Sequence, residues 1–320
     1  MRVGFIGAGG ITRPYRQALR TSDGVVIAAV QDVDSVRATA VADEEGAAAF
    51  DDHRKMLDAT QLDAVFICIP PFAHKQQVAE CAARGLHVFV AKPVALDLET
   101  ARRTIAALDQ AGVIHQAGYM WRSADAVRHA KALIGGRALT MAAGQVLVGV
   151  PPTPWWGVRA KSGGQVLEQS THLVDLLRYY LGEVVEVQAM GHAGAQPELT
   201  DFEDSTVGNL RFASGAVASL ASTSTGGLGR YSLVLAGRDL CLEVAAGANQ
   251  VSGRIDGEAV SYTGEAKGMA EQVTTFLTAC RTGDQSLVPS SYPDAARTLA
   301  ATVAFNEALA TGQTVRVHPV

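Results

Sequence analysis

The sequence predicts an α/β chain in two parts: a doubly wound parallel sheet, followed by an α+β domain built on a large, mostly antiparallel open sheet. Three observations carry this. Up to about residue 120, short apolar runs alternate with amphipathic stretches, the rhythm of parallel strands joined by crossover helices. Beyond residue 120, strand-like segments follow one another with only Gly-rich turns between them, as in an antiparallel sheet. The length, 320 residues, exceeds what one compact core ordinarily holds and is too short for three. The expected domains are therefore 1–120 and 121–320.

In the first domain the expected strands are 3–6, 25–31, 64–69, 87–90 and 113–117. They are apolar almost throughout, which suits strands covered by helices on both faces. Helical patterns fall between them at about 14–20, 34–45, 73–83 and 98–110. The second domain opens with a helix near 124–134 and the segment 138–150. A loop rich in Pro and Trp, 151–156, comes next, then a helix over about 166–181. Strand-like segments follow at 184–190, 206–212, 216–222, 232–236 and 240–244, and helical patterns at 268–281 and 293–310 close the chain. Helices are expected on one face of this sheet, which leaves the other for solvent or a partner.

Composition excludes several classes. Apolar residues make up 48%, charged residues 18%, and the net charge is −5, an ordinary globular balance without the basic surface of a nucleic-acid binder. The four cysteines, Cys68, Cys81, Cys241 and Cys280, show no C-x-x-C pairing and no zinc spacing with the eight histidines. No structural metal or disulfide framework is expected. No apolar run reaches the roughly 18 residues of a membrane helix, and the chain starts directly on an apolar strand without a leader. A cytoplasmic chain with no membrane or nucleic-acid partner is the expectation.

The first strand runs into Gly7-Ala8-Gly9-Gly10-Ile11-Thr12, a G-x-G-x-x-T turn where the usual dinucleotide fingerprint ends in Gly or Ala. Glycines there let the chain turn sharply and let backbone N–H groups approach a pyrophosphate at a helix N-terminus. A second G-x-G at Gly227-Leu228-Gly229 has no such context. The first gains its weight from ending an apolar strand and opening a helix, the setting of a Rossmann domain. The second strand ends at Asp32, 25 residues after Gly7. A carboxylate there accepts the adenosine ribose hydroxyls and repels a 2′-phosphate, which favours NAD over NADP. Asp34 reads as the cap of the next helix.

Three further motifs resemble one family. The segment Ala64-Val65-Phe66-Ile67-Cys68-Ile69-Pro70-Pro71 followed by His74 is similar to the fourth-strand T-P-x-x-x-H segment of the glucose-fructose oxidoreductase/inositol dehydrogenase/MocA (Gfo/Idh/MocA) family. His87-Val88-Phe89-Val90-Ala91-Lys92-Pro93 resembles its E-K-P motif, with Ala91 in place of the glutamate. Gly163-Gly164-Gln165-Val166-Leu167-Glu168-Gln169-Ser170-Thr171-His172 is similar to its G-G-G-x-x-x-D-x-x-x-H motif, with Glu168 in place of the aspartate. The resemblance implies a Rossmann domain, NAD as cofactor, and a cis Lys92–Pro93 bond.

It also implies site residues. Gly7, Gly9, Gly10, Ile11, Asp32, Ile69, Pro70, His74 and Lys92 would bind the cofactor. Lys92 and His172 would manage a proton, because a desolvated ammonium and an imidazole both exchange protons near neutral pH. Glu168, four residues before His172, would share its helix face and orient the ring; the same spacing also serves a surface ion pair, and both readings stand. Tyr119-Met120-Trp121-Arg122 resembles the family's G-F-x-R-R segment. Tyr119, Trp121 and Arg122 are candidates for contacting a sugar or polyol, through a ring face and a fork of donors. Trp156, with Trp155, either walls that cleft or anchors its own loop. The expected activity is hydride transfer between NAD and a secondary alcohol or ketone of a sugar, cyclic polyol or derivative. An NAD-assisted glycosidase and a non-catalytic dinucleotide- or sugar-binding regulator are the alternatives. A homodimer or homotetramer through the second sheet is expected.

Overall fold

The computed structural model describes residues 1–320. Its contacts divide them into two compact units. One comprises Met1–Ala95, Glu99–Tyr119 and Met269–Asp294; the other comprises Leu96–Leu98, Met120–Gly268 and Ala295–Val320. No helix is long and apolar enough to cross a membrane.

The first unit alternates strand and helix: β1 (Arg2–Ile6), α1 (Thr12–Arg20), β2 (Val26–Gln31), α2 (Ser35–Glu45), β3 (Ala48–Phe50), α3 (His53–Ala59), β4 (Ala64–Ile67), α4 (Gln77–Ala82), β5 (His87–Val90), α5 (Leu98–Ala111) and β6 (His115–Ala117). The six strands lie in the order β3-β2-β1-β4-β5-β6, every pair parallel. The order reverses between β1 and β4, so a crevice opens beyond the carboxyl ends of these strands, the place where such sheets take ligands. Asp34 caps α2 by accepting the Arg37 N–H at 3.1 Å, and Asp52 caps α3 in the same way. An aromatic stack fills the core: Phe66 lies 5.3 Å from Phe5 and 4.7 Å from Phe89, ring to ring.

Two elements here differ from the sequence reading. β3 and α3 are unexpected: Ala48-Ala49-Phe50 is only three residues, two of them small alanines, and lies largely exposed. The helix expected over 73–83 begins at Gln77, after a single 3₁₀ turn at Pro71–Ala73; two successive prolines, Pro70 and Pro71, hold the chain extended before it.

The second unit contains α6 (Asp125–Ile134), β7 (Leu139–Gly149), α7 (Arg159–Ser162), a π-helical turn (Val166–Ser170), α8 (Thr171–Leu181), β8 (Val184–His192), β9 (Ser205–Phe212), β10 (Val217–Thr223), β11 (Thr225–Gly237), β12 (Leu240–Ala245), β13 (Gln250–Ile255) and β14 (Glu258–Thr263). After α9 (Met269–Thr282) come α10 (Tyr292–Thr311) and β15 (Val315–Arg316). Its nine-stranded sheet runs β14-β13-β12-β11-β7-β10-β9-β8-β15, antiparallel except where β10 lies parallel to β7. β9 alternates buried and outward residues along its length, so one face is core and the other open. Leu173, Leu176 and Leu177 of α8 belong to the core on the covered face.

α9 lies far beyond residue 120 yet belongs to the first unit, where Phe276 packs edge-on against Phe66 and Phe89 at 5.6 and 5.5 Å. A single division of the chain at residue 120 would miss it. β11 begins seven residues before the expected 232, because its glycines read as a turn. β13 (one glycine) and β14 interleave too many polar residues to register as apolar runs.

Candidate active site

The turn after β1 is built around Gly7. Its φ of +94° suits only glycine, and a Cβ there would meet the Cys68 carbonyl oxygen at 2.3 Å. The Gly7 N–H donates to the Gln31 carbonyl at 2.7 Å, which ties the turn to the end of β2. A Cβ on Gly9 or Gly10 would meet nothing within 4 Å; these two face open space, where a ligand can approach the backbone closely. Thr12, which stands where the fingerprint usually has Gly or Ala, is buried and donates its hydroxyl to the Gly9 carbonyl at 2.8 Å. Ile11, the N-cap of α1, gives that helix no side-chain cap, and an anion is the natural partner for such a helix start.

Asp32 is buried at the end of β2. Its Oδ2 accepts the Ala8 N–H at 2.8 Å and its Oδ1 the Asp34 N–H at 2.9 Å, so the carboxylate is fixed against the glycine turn. Arg37, which the sequence reading did not single out, brings Nη1 to 3.5 Å from Asp32 Oδ2 and Nη2 to 3.1 Å from Asp34 Oδ2.

Ile69 and Pro70 follow β4 half-buried, and His74 is buried behind them. Desolvation lowers the His74 pKa to about 4 against a backbone hydrogen bond to Ile69 that favours the charged ring. Its Nε2 is buried without a protein partner. An orphaned nitrogen, an open glycine cradle and an anchored ribose carboxylate together fit an adenine dinucleotide. The β5 strand delivers half-buried Lys92, and the Lys92–Pro93 bond is cis. Ala91, where the resembling family has glutamate, sits in the same apolar core as Tyr15, Phe66 and Phe89. Tyr119 is also buried in this unit.

In the second unit, Gly163 and Gly164 both have positive φ, +78° and +86°, and turn the chain from α7 into the π-helical segment. Asn306 of α10 holds the Gly163 carbonyl at 2.7 Å. Glu168 lies on the π turn, and its Oε2 accepts the indole N–H of Trp156 at 2.7 Å. Trp156 is itself 1% exposed and packs on Phe202 at 5.2 Å. Of its two expected roles the structure shows the anchoring one: the indole secures its loop to Glu168.

His172 opens α8. Its ring lies 4.8 Å from that of Trp121, which also lies 4.8 Å from the ring of Tyr231. Burial, helped by the Glu168 charge, pushes the Tyr231 hydroxyl up to about 12. Imidazole, indole, phenol and carboxylate thus share one neighbourhood. Tyr231 escaped the sequence reading by one position, since the strand was expected to start at Ser232.

Arg122 is placed differently from its expected role as a fork for substrate hydroxyls. Both of its arms bind Asp175, at 2.8 and 2.7 Å, with both side chains buried, and Thr298 donates to the same carboxylate at 3.0 Å. Arg178, three residues on from Asp175, stands 4.0 Å from it and gives its closer contacts to Glu183 and Thr298. This network braces α8, which carries His172.

Known proteins bear on this arrangement. Residues 1–119 match the oxidoreductase family with an NAD-binding Rossmann fold, and residues 127–244 match the Gfo/Idh/MocA C-terminal domain. The uncharacterized oxidoreductase YrbE of Bacillus subtilis is 31% identical over 67% of this chain and 64% of its own length. The myo-inositol 2-dehydrogenase of Thermotoga maritima is 30% identical over 68% of this chain and 66% of its own. The aligned stretches thus span just under two-thirds of both relatives. The WlbA dehydrogenase from Bordetella pertussis, solved with NADH and UDP-GlcNAcA, superposes with a TM-score of 0.85 at 23% identity, covering 100% of this chain and 99% of that one, which shows the shared fold. The chain belongs to the Gfo/Idh/MocA oxidoreductase family, whose first domain is an NAD-binding Rossmann fold.

Proposed function

We propose that this protein is an NAD-dependent oxidoreductase that interconverts a secondary alcohol and a ketone on a sugar, cyclic polyol or close derivative. The observation that carries the reading is the Trp121 indole in ring contact with both the His172 imidazole and the Tyr231 phenol, with the Glu168 carboxylate acting on that phenol and held by Trp156, in a chain that also holds a glycine turn open to a dinucleotide. The relatives support it, since the Thermotoga maritima protein is named for oxidation of a cyclic polyol.

NAD, when bound, supplies the hydride acceptor at its nicotinamide. Gly9, Gly10 and the start of α1 would receive its pyrophosphate, Asp32 would take the ribose hydroxyls, and Ile69, Pro70 and His74 would flank it. His172 accepts the hydroxyl proton at an imidazole nitrogen as the alcohol is oxidised, and returns it in the reverse direction. Glu168 stabilises the charged ring, and the Trp156 N–H keeps Glu168 in place. Lys92 shares with His172 in handling that proton. Trp121 and Tyr231 offer a ring face and a hydroxyl to a carbohydrate.

The open face of the nine-stranded sheet pairs with a second copy of the chain. It exposes Met141, Val207 and Val217 beside the charges of Glu186 and Arg211, an arrangement of both signs that a two-fold contact can satisfy. The function is tested with pure protein, NAD⁺ and a panel of sugars and cyclic polyols. Growth of absorbance at 340 nm with at least one of them is the expected result. Aryl glycoside cleavage without net NADH would replace this reading with the glycosidase, and NAD binding with no chemistry would replace it with the regulator.

A further inference from the structure

We propose that Asp34, by holding Arg37, excludes NADP from the adenosine site, and that Arg37 is a latent ligand for the 2′-phosphate. The inference rests on the dinucleotide reading above and extends it to the choice of cofactor.

Asp32 is committed by geometry. Each of its oxygens already accepts one backbone N–H, which leaves it able to accept the hydroxyls of one ribose. Beside it, Asp34 holds Arg37 twice. Its Oδ1 accepts the Arg37 N–H at 3.1 Å as the cap of α2, and its Oδ2 takes the Arg37 guanidinium at 3.1 Å. The same guanidinium lies 3.5 Å from Asp32, so it spans two carboxylates at the rim where the ribose 2′-oxygen would lie.

A 2′-hydroxyl can donate to Asp32 in this setting. A 2′-phosphate instead meets two carboxylates and a guanidinium whose charge they already offset. The hold on Arg37 is nevertheless light. The side chains of Arg37 and Asp34 are 51% and 44% exposed, and a pair so open to water contributes little. What keeps the phosphate out is the pairing of charges: while Asp34 is present its carboxylate offsets the Arg37 guanidinium, which then has no net attraction to offer a phosphate. Without Asp34, Arg37 is a half-exposed planar fork within reach of the 2′-oxygen, and such a fork binds phosphate bidentately.

The test uses the full chain and direct binding. NAD⁺ and NADP⁺ are titrated calorimetrically into wild type, Asp34→Ser and the double variant Asp34→Ser/Arg37→Ala. Serine still caps α2, and circular dichroism checks that the helix content is kept. Asp34→Ser is expected to bind NADP⁺ at least about tenfold more tightly than wild type, in a manner that weakens with added salt. NAD⁺ affinity should move by less than about threefold. The double variant should return NADP⁺ binding to the wild-type level. Unchanged NADP⁺ affinity in Asp34→Ser overturns the proposal. So does a gain that survives in the double variant, since relief of repulsion alone would then account for it. If no protein binds either cofactor, the dinucleotide reading itself falls, a result distinct from both of these.

Discussion

Gly7 and Gly9 sit two residues apart in the same turn, and their replacement by alanine should have opposite consequences. At Gly7 a Cβ would lie 2.3 Å from the Cys68 carbonyl oxygen and 2.8 Å from its carbon, on a backbone with φ of +94°. Both contacts are to main chain, so relief requires β1 and the end of β4 to separate. The positive φ alone costs about 1–3 kcal/mol, and the contact raises the total for Gly7→Ala to about 3 kcal/mol or more. For a unit of this size that corresponds to a fall in Tm of about 6–12 °C. At Gly9 the added methyl meets nothing within 4 Å and φ is not positive, so Gly9→Ala should change stability by less than about 0.5 kcal/mol. The methyl occupies the space a pyrophosphate needs, however, and NAD⁺ affinity should fall at least about tenfold. Thermal melts with and without NAD⁺, together with a calorimetric titration, separate the two effects. A Gly7→Ala protein melting with wild type, or a Gly9→Ala protein binding NAD⁺ with wild-type affinity, would refute the reasoning.

Other expectations follow from buried groups. The His74 pKa is lowered to about 4 in the folded chain from an unfolded value near ~6.5, so the unfolded state binds the extra proton. Stability that is full above ~6.5 should therefore fall by up to about 3 kcal/mol as pH drops through ~6.5 toward ~4, and chemical denaturation of His74→Phe across that range should show this part of the acid sensitivity gone. Trp156→Phe takes away the N–H that Glu168 accepts and should cost about 1–3 kcal/mol, read from the denaturation midpoint; an unchanged midpoint would mean Glu168 does not need that donor. Arg122→Met leaves the buried Asp175 without its bidentate partner and should destabilise by about 3–5 kcal/mol, whereas a neutral result would remove this network as the brace of α8. Light scattering at micromolar concentration should give a multiple of 33.5 kDa, and a monomer mass would reject pairing through the open sheet.

What could be read from the sequence, and what could not, divides along physical lines. The strands β1, β2, β4 and β5 announce themselves because burial on both faces demands continuous apolar runs. β3 is three residues of Ala-Ala-Phe at an exposed edge and carries no such signal. The glycine turn and Asp32 are legible because backbone approach and ribose binding tolerate few residue types. Arg37 is not, since its value comes from a helix turn that folds it back on Asp32 and Asp34. Trp156–Glu168 and Arg122–Asp175 are contacts between distant segments, and residue type alone could neither decide between wall and anchor for Trp156 nor name Asp175 as the partner of Arg122. The π turn over Val166–Ser170 changes the register between Glu168 and His172 that a uniform helix would give. Such insertions recur at functional sites but leave no mark in the spacing of apolar residues.

The central claim is that the first unit binds the dinucleotide while His172, in the second, handles the proton. The measurement that tests it most directly pairs NAD⁺ affinity with turnover, in wild type and in His172→Ala, on whichever sugar or polyol the screen identifies. The account predicts NAD⁺ affinity within about threefold of wild type and turnover lower by about 10²–10⁴-fold. Lys92→Ala should show a comparable loss, and Glu168→Gln a smaller one. Near-wild-type turnover in His172→Ala, with Glu168→Gln inactive, would contradict it, because the proton would then have another acceptor.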